Sequence, residues 1–398
     1  MALPALRLRR HEDRRIRLGH PWVFSNEVDT DATPLGAFEP GQPAVVQSAT
    51  GDVLGSVYVN PASLICARIV SPRPDQPLDA SVLERRLAAA LRLRESLFST
   101  PYYRLAFAES DALPGLVVDR YGAQLVVQIT TAGMERLKDD VVAVLARLLA
   151  PKGILLRNDL PLRALEGLSQ YVAVAHGEVP EETGIVENGC HFSVPLLTGQ
   201  KTGWFFDQRA NRERMTRYVR GLRVLDLFSY LGSWGVMAAR AGATDVLCVD
   251  TSASATAQIE RHAQNNGVAH QVGIMTADVF DALRKLRAQE QRFDVIILDP
   301  PAFIRRRKDV TEGVAAYRRL NQAALAVLAD DGLVISSSCS YHLHRETLHD
   351  IIAKAARRAG RFLQILEEGQ QAPDHPVHPA LPESAYLKTV FARMRPPV

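Results

Sequence analysis

From about residue 220 the chain alternates short, almost wholly apolar runs with helix-like stretches, and this alternation restricts the fold more than any other feature. GLRVLDLFS precedes a stretch rich in Ala and Met. DVLCVD precedes ATAQIERHAQNNG, FDVIILDPP precedes the helical pattern YRRLNQAALAVLADDG, and LVISSSCS closes the series. Continuous apolar runs mark strands buried on both faces, and their alternation with helices implies parallel crossovers. The pattern predicts an α/β, doubly wound, mostly parallel sheet. Such sheets take ligands beyond the carboxyl ends of their strands, near the point where strand order reverses. Small and polar residues stand at those ends here.

The upstream half reads differently. PAVVQSATG, DVLGSVYVN and LICARIV are short strands broken by Gly and Pro, which predicts a small β-barrel-like domain over residues 1–75. The Pro-rich stretch from Ser71 to Asp79 reads as a linker. A helix with Asp79 or Ser81 as N-cap and Leu83, Leu87 and Leu91 on one face follows. Further strands and an amphipathic helix near Met134 to Leu149, without parallel crossovers, predict a small α+β domain over 76–190. A third domain is expected over 191–398.

The 398 residues are 47% hydrophobic and 23% charged, as in an ordinary globular protein. No apolar run is long enough to span a bilayer, and the Arg-rich start lacks the apolar core of a signal peptide, so a cytoplasmic protein with no membrane partner is expected. The four cysteines (Cys66, Cys190, Cys248, Cys339) lack C-x-x-C spacing, which argues against a metal site or a disulfide framework. The net charge of +3 says less than its distribution. Arg7, Arg9, Arg10, Arg14, Arg15 and Arg17 crowd the first segment, and Arg305, Arg306, Arg307 and Lys308 form a second cluster. Such clusters suit a polyanion, although solvated surface arginines look the same in sequence.

Five strand ends carry candidate chemistry. The first, with Phe228, Ser229, Tyr230 and Gly232, lets a ligand approach the backbone, and the dinucleotide fingerprint G-x-G-x-x-G is absent. Asp250 ends the next strand, where a carboxylate can accept both hydroxyls of a ribose. Asp278 either receives an adenine amino group or caps the following helix. Asp299, Pro300, Pro301 and Phe303 follow the fourth strand. The prolines remove two N–H donors, leaving carbonyl acceptors, with Phe303 beside them, for a planar base bearing an amine. Cys339, among small hydroxyl residues at a strand's carboxyl end, is the candidate nucleophile. Cys248 lies within a strand, and Cys66 and Cys190 also read as structural.

In order along the chain, GHPWVFSNEV, LPGLVVDRYG, TGQKTGWFFDQRANR, FSYLG, DPPAF and SSCS resemble the motifs of the RlmI-like 23S ribosomal RNA 5-methylcytosine methyltransferases, over essentially the whole length. The resemblance implies an RNA-binding PUA domain, a central α+β domain and a Rossmann-like methyltransferase domain using S-adenosyl-L-methionine. It implies that Lys201 and Thr202 lie near the methionine part of the cofactor, and that Phe228, Ser229, Tyr230 and Gly232 line it. Asp250 takes the ribose, and Asp278 with Val279 the adenine. Cys339 and Asp299 are the implied catalytic residues, and a homodimer is an implied possibility. A thiolate adding at carbon 6 of cytosine makes carbon 5 nucleophilic enough to attack a methyl sulfonium. Leu231, Ser233, Ala210, Ala302 and Tyr341 depart from the family pattern. The competing expectations are an N-methyltransferase such as a guanine-N7 enzyme, which needs no nucleophile, and a noncatalytic RNA-binding assembly factor.

Overall fold

The computed structural model describes residues 3–396. They form two compact units, one of residues 3–185, 194–206 and 373–384, the other of 186–193, 207–372 and 385–396.

In the first unit the strands Ala5–Arg7, Gln42–Gln47, Val53–Val59, Ala67–Ser71 and Trp22–Val23 pair in that spatial order into one sheet. Leu6, Val23, Val46, Val57 and Val59 fill its core. A second five-stranded sheet carries the helices Ala80–Leu97 and Lys138–Leu149. Asp79, not Ser81, is the N-cap of the first helix, its carboxylate accepting the Val82 N–H at 2.9 Å. This sheet corrects one expectation: Gln124–Ile129 and Gly153–Asn158 pair in parallel. Parallel neighbours need a connection of a dozen residues or more, and the helices Ala132–Arg136 and Lys138–Leu149 supply it. Arg68 of the first sheet meets Glu109 at 3.0 Å and Glu166 at 3.2 Å in the interior.

The second unit holds a seven-stranded sheet: β1 Arg223–Leu227, β2 Asp245–Asp250, β3 Val272–Thr276, β4 Phe293–Leu298, β5 Leu328–Ser338, β6 Phe362–Gln370 and β7 Lys388–Arg395. The spatial order is β3-β2-β1-β4-β5-β7-β6. The first five strands are parallel; β7 runs antiparallel to both β5 and β6. The helices are α1 Ser233–Arg240, α2 Ala253–Asn265, α3 Val279–Ala288, α4 Val310–Leu325 and α5 Arg345–Arg358. Leu283, Tyr317, Leu320 and Ile351 from α3, α4 and α5 share one apolar cluster with Leu225, Ile296 and Val334 of the sheet. The helix expected to run through Asp331 instead ends at Leu325, and Leu328 already belongs to β5. An apolar run beside a polar turn is ambiguous by periodicity, and pairing with Phe293 of β4 decides it.

Strand order reverses between β1 and β4, so their carboxyl ends frame the crevice. Close packing behind it depends on Gly235, the third residue of α1. A Cβ there would stand 2.3 Å from Cys248 Sγ and 3.2 Å from Asp226 Oδ2. Gly235→Ala is therefore expected to lower the thermal midpoint, overpacking costing about 1–3 kcal/mol against a helix-propensity gain of about 1 kcal/mol.

Candidate active site

The turn after β1 is tightly wound. Phe228 and Tyr230 hold positive φ angles of 63° and 48°, and Gly232 follows at 76°. For residues with side chains this conformation is uncommon and costs energy, so surrounding bonds must hold it. Asp250 Oδ2 accepts the Tyr230 N–H at 2.9 Å, and Ser229 Oγ donates to the carbonyl of Asp226 at 2.7 Å. The buried His262 of α2 accepts the Ser193 N–H on Nε2 (2.9 Å), which leaves Nδ1–H to donate to the Leu231 carbonyl at 2.8 Å. No sequence signal marked His262.

Asp226, Asp250 and Asp299 gather at the ends of β1, β2 and β4, close enough for Asp299 and Asp250 to act on Asp226. Asp226 is completely buried; burial first, and then its neighbouring carboxylates, push it up to about 7. Its Oδ2 accepts the Gly235 N–H at 3.0 Å, while Oδ1 has no partner. Burial also raises Asp299, against hydrogen bonds from Trp234 Nε1 (3.0 Å) and Gln208 Nε2 (2.8 Å) that favour its charged form. Asp299 is thus held on both oxygens by residues that sequence reasoning did not assign. Gln208 lies inside the flagged TGQKTGWFFDQRANR segment; Trp234 carried no signal.

Cys339 directly follows β5, half-buried, with Sγ 4.0 Å from the Pro300 carbonyl oxygen. Cys66, Cys190 and Cys248 are buried, and burial raises all three thiols, Cys66 to about 12. Tyr317 of α4 pins the loop around Cys339. Its hydroxyl accepts from Ser338 Oγ at 2.9 Å and lies 3.0 Å from Ser340 Oγ, which in turn accepts the Ile304 N–H at 3.1 Å. The Phe303 ring packs on Tyr317 with centroids 4.8 Å apart. Pro300 is buried and Pro301 exposed.

Two expected cofactor residues look different in the fold. Asp278 is the N-cap of α3, accepting from Phe280 N at 2.9 Å and Asp281 N at 3.3 Å, with its side chain exposed. The Val279 side chain is buried in the sheet core, so it offers a ligand no side-chain surface. Lys201 and Thr202 belong to the first unit. There the Lys201 ammonium lies 5.0 Å from the Phe205 ring centroid, and the Thr202 carbonyl accepts from Tyr121 Oη at 3.0 Å. Among the described residues no group of three or more His, Cys, Asp or Glu can hold a metal, and no helix is long and apolar enough to cross a membrane.

This strand order, with acids at the ends of β1, β2 and β4, defines an S-adenosylmethionine-dependent methyltransferase, and the donor set fits that cofactor. A carboxylate has about four lone-pair sites, so Asp250 retains acceptors for ribose hydroxyls after binding the Tyr230 and Ser252 amides. Three close carboxylates, one with an orphaned oxygen, suit a ligand that carries a sulfonium and an ammonium. A family model for S-adenosylmethionine-dependent methyltransferases matches residues 168–391, and a PUA-like domain model matches 6–72. Ribosomal RNA large subunit methyltransferase I of Aliivibrio fischeri (strain MJ11) is 36% identical over 97% of this chain and 98% of its own. The protein of the same name from Vibrio cholerae O395 is 36% identical over 97% and 98%. The methyltransferase SMU.776, solved in complex with SAH, superposes with a TM-score of 0.84 at 24% identity, covering 98% of this chain and 100% of that one. The chain belongs to the ribosomal RNA large subunit methyltransferase I family of S-adenosylmethionine-dependent methyltransferases.

Proposed function

We propose that this protein methylates carbon 5 of a cytosine in 23S ribosomal RNA, with Cys339 as a covalent nucleophile. The observation that carries the reading is the setting of Cys339. It is the one partly exposed cysteine among four, at the carboxyl end of β5, beside the Pro300 carbonyl and in the unit that holds the acid cluster. The RNA class is supported by the names of the relatives. S-adenosylmethionine supplies an electrophilic methyl group. The Cys339 thiolate adds at carbon 6, and once carbon 5 carries that methyl group, loss of its proton releases the thiolate. Asp299, fixed by Trp234 and Gln208, retains acceptor capacity for the amine of the base, which must first leave its stack. Pro300, Pro301 and Phe303 form the wall that receives it. Asp250 accepts the ribose hydroxyls of the cofactor, while the Asp278 carboxylate and the Val279 backbone serve its adenine. Lys201 and Thr202 keep family resemblance as their only support.

In this reading residues 1–75 bind RNA, 76–190 form a central domain and 191–398 perform catalysis in the cytoplasm. In the PUA-like segment Trp22 donates from Nε1 to Glu109 at 2.8 Å, and Arg15 covers the Phe24 ring, so both aromatics serve the fold. Exposed Arg10 and Arg14 remain for phosphates. The test is incubation with labelled S-adenosylmethionine and unmodified 23S RNA, followed by nucleoside analysis. Label in 5-methylcytidine is expected; label in 7-methylguanosine or another N-methylated nucleoside would replace this reading with the nucleophile-free one.

Arg305, Arg307 and Lys308 lie exposed just beyond the Pro301–Phe303 wall, whereas Arg306 meets Asp309 at 3.4 Å. Replacing the three by Ala is expected to weaken RNA binding about tenfold at moderate salt and to flatten the salt dependence, since each phosphate contact releases counterions. Filter binding across a salt series checks it.

A further inference from the structure

Lys388 is the first residue of β7 and pairs in register with Ser338, the residue before Cys339. It is 6% exposed. Its ammonium donates to the Ser340 carbonyl at 2.7 Å and to the Tyr386 carbonyl at 2.8 Å, so it is anchored to the far side of the Cys339 loop. Among the described residues no carboxylate stands within ion-pair distance of it. Arg345, the other charged neighbour, is of like sign and has its own partner in Glu368 at 3.3 Å. The Tyr386 hydroxyl donates to Asp207 at 2.6 Å, and the Tyr317 hydroxyl is engaged with Ser338 and Ser340. A buried cation without an anion is costly, and desolvation holds Lys388 down at about 8. The influence that favours its charged form is Cys339.

We propose that Lys388 is the positioning residue for the nucleophile: its ammonium, fixed to the backbone at Ser340, is the counter-ion of the Cys339 thiolate. The proton of the Cys339 thiol passes to the Lys388 amine, leaving a thiolate–ammonium pair. The sulfur electron pair forms the bond to carbon 6; on elimination that bond breaks and the pair returns to sulfur beside the same ammonium. Lys388 keeps its proton throughout, and the proton from carbon 5 leaves separately to water. A thiolate is stabilised by such a cation both as attacking and as leaving group. The inference rests on the reading of Cys339 as nucleophile, but its test needs neither RNA nor cofactor.

Iodoacetamide alkylation of Cys339 in the full-length protein is followed across pH by peptide mass spectrometry, with the three buried cysteines as slow internal references. In a folded Lys388→Met variant the midpoint of the pH profile is expected to rise by about one unit, slowing alkylation about tenfold at neutral pH. Lys388→Arg, which keeps the charge, retains most of the wild-type rate. An unchanged midpoint in Lys388→Met overturns the proposal. Should that variant not fold, reductive methylation of Lys388 across pH in Cys339→Ser gives the reciprocal reading. The lysine profile is expected to fall to lower pH without the thiolate, and an unmoved profile overturns the pairing. A Lys388-dependent alkylation profile together with full methylation by Cys339→Ala would preserve the pair and remove its catalytic use. A Lys388-independent profile with an inactive Cys339→Ala would do the reverse.

Discussion

Cys339→Ala is expected to lower methyl transfer to RNA by roughly 10³-fold or more, because loss of a covalent nucleophile removes a whole reaction route rather than one contact. Cofactor affinity should hardly change, since Asp250, the Phe228–Gly232 turn and α1 are untouched. The loop should also survive: Tyr317 holds Ser338 and Ser340 through hydroxyls on either side of position 339. Single-turnover transfer from labelled cofactor, beside equilibrium cofactor binding, separates the two effects. Undiminished transfer by a cofactor-binding Cys339→Ala protein would remove the covalent mechanism and leave an N-methyltransferase on the same fold. In the wild type, 5-fluorocytidine in the RNA should trap a covalent complex through Cys339, because the fluorine blocks loss of a proton from carbon 5.

The second large effect is a dependence of stability on pH that originates at Asp226. Its carboxyl ionises at about 7 in the fold against an ordinary 3.8. Between those values the folded state binds more protons than the unfolded chain, so stability falls as pH rises through that window and levels off above it. About three units at about 1.4 kcal/mol each put the loss at roughly 4 kcal/mol. Asp226→Asn has no charge to bury. Its amide oxygen can accept the Gly235 N–H, while its NH₂ takes the unpartnered Oδ1 position at a cost of about 1–3 kcal/mol. The variant should therefore be less stable than wild type at pH 4.5 and equal or better at pH 8. Denaturant unfolding at the two pH values, followed by hydrogen exchange of the β1 amides, checks the crossing. Parallel pH dependence in the two proteins would show that Asp226 is not the titrating group.

Much of the catalytic unit was legible because burial on both faces of a parallel sheet leaves a one-dimensional mark: DVLCVD and FDVIILDPP are too continuously apolar to be anything but central strands. The strand-end residues Phe228, Tyr230, Asp250, Asp299 and Cys339 followed, because a doubly wound sheet presents its carboxyl ends to the ligand whatever lies between. Asp278 shows where that reading stops. Cap and ligand use the same carboxylate at the same place, and only the observed bonds to Phe280 and Asp281 establish the cap. The parallel pairing of Gln124–Ile129 with Gly153–Asn158 is a similar case, since periodicity locates strands but does not say which neighbours pair.

Sequence by itself determined the residue chemistry and the order of layers, because both are carried by local pattern and motif. Tertiary structure alone decided which distant groups meet. Trp234 and Gln208 reach Asp299 across 65 and 91 residues, and Lys388 reaches the Cys339 loop across 48. None of these separations has a period or a spacing rule. They follow from sheet order, in which antiparallel β7 enters beside β5 and delivers its first side chain to the end where β5 finishes.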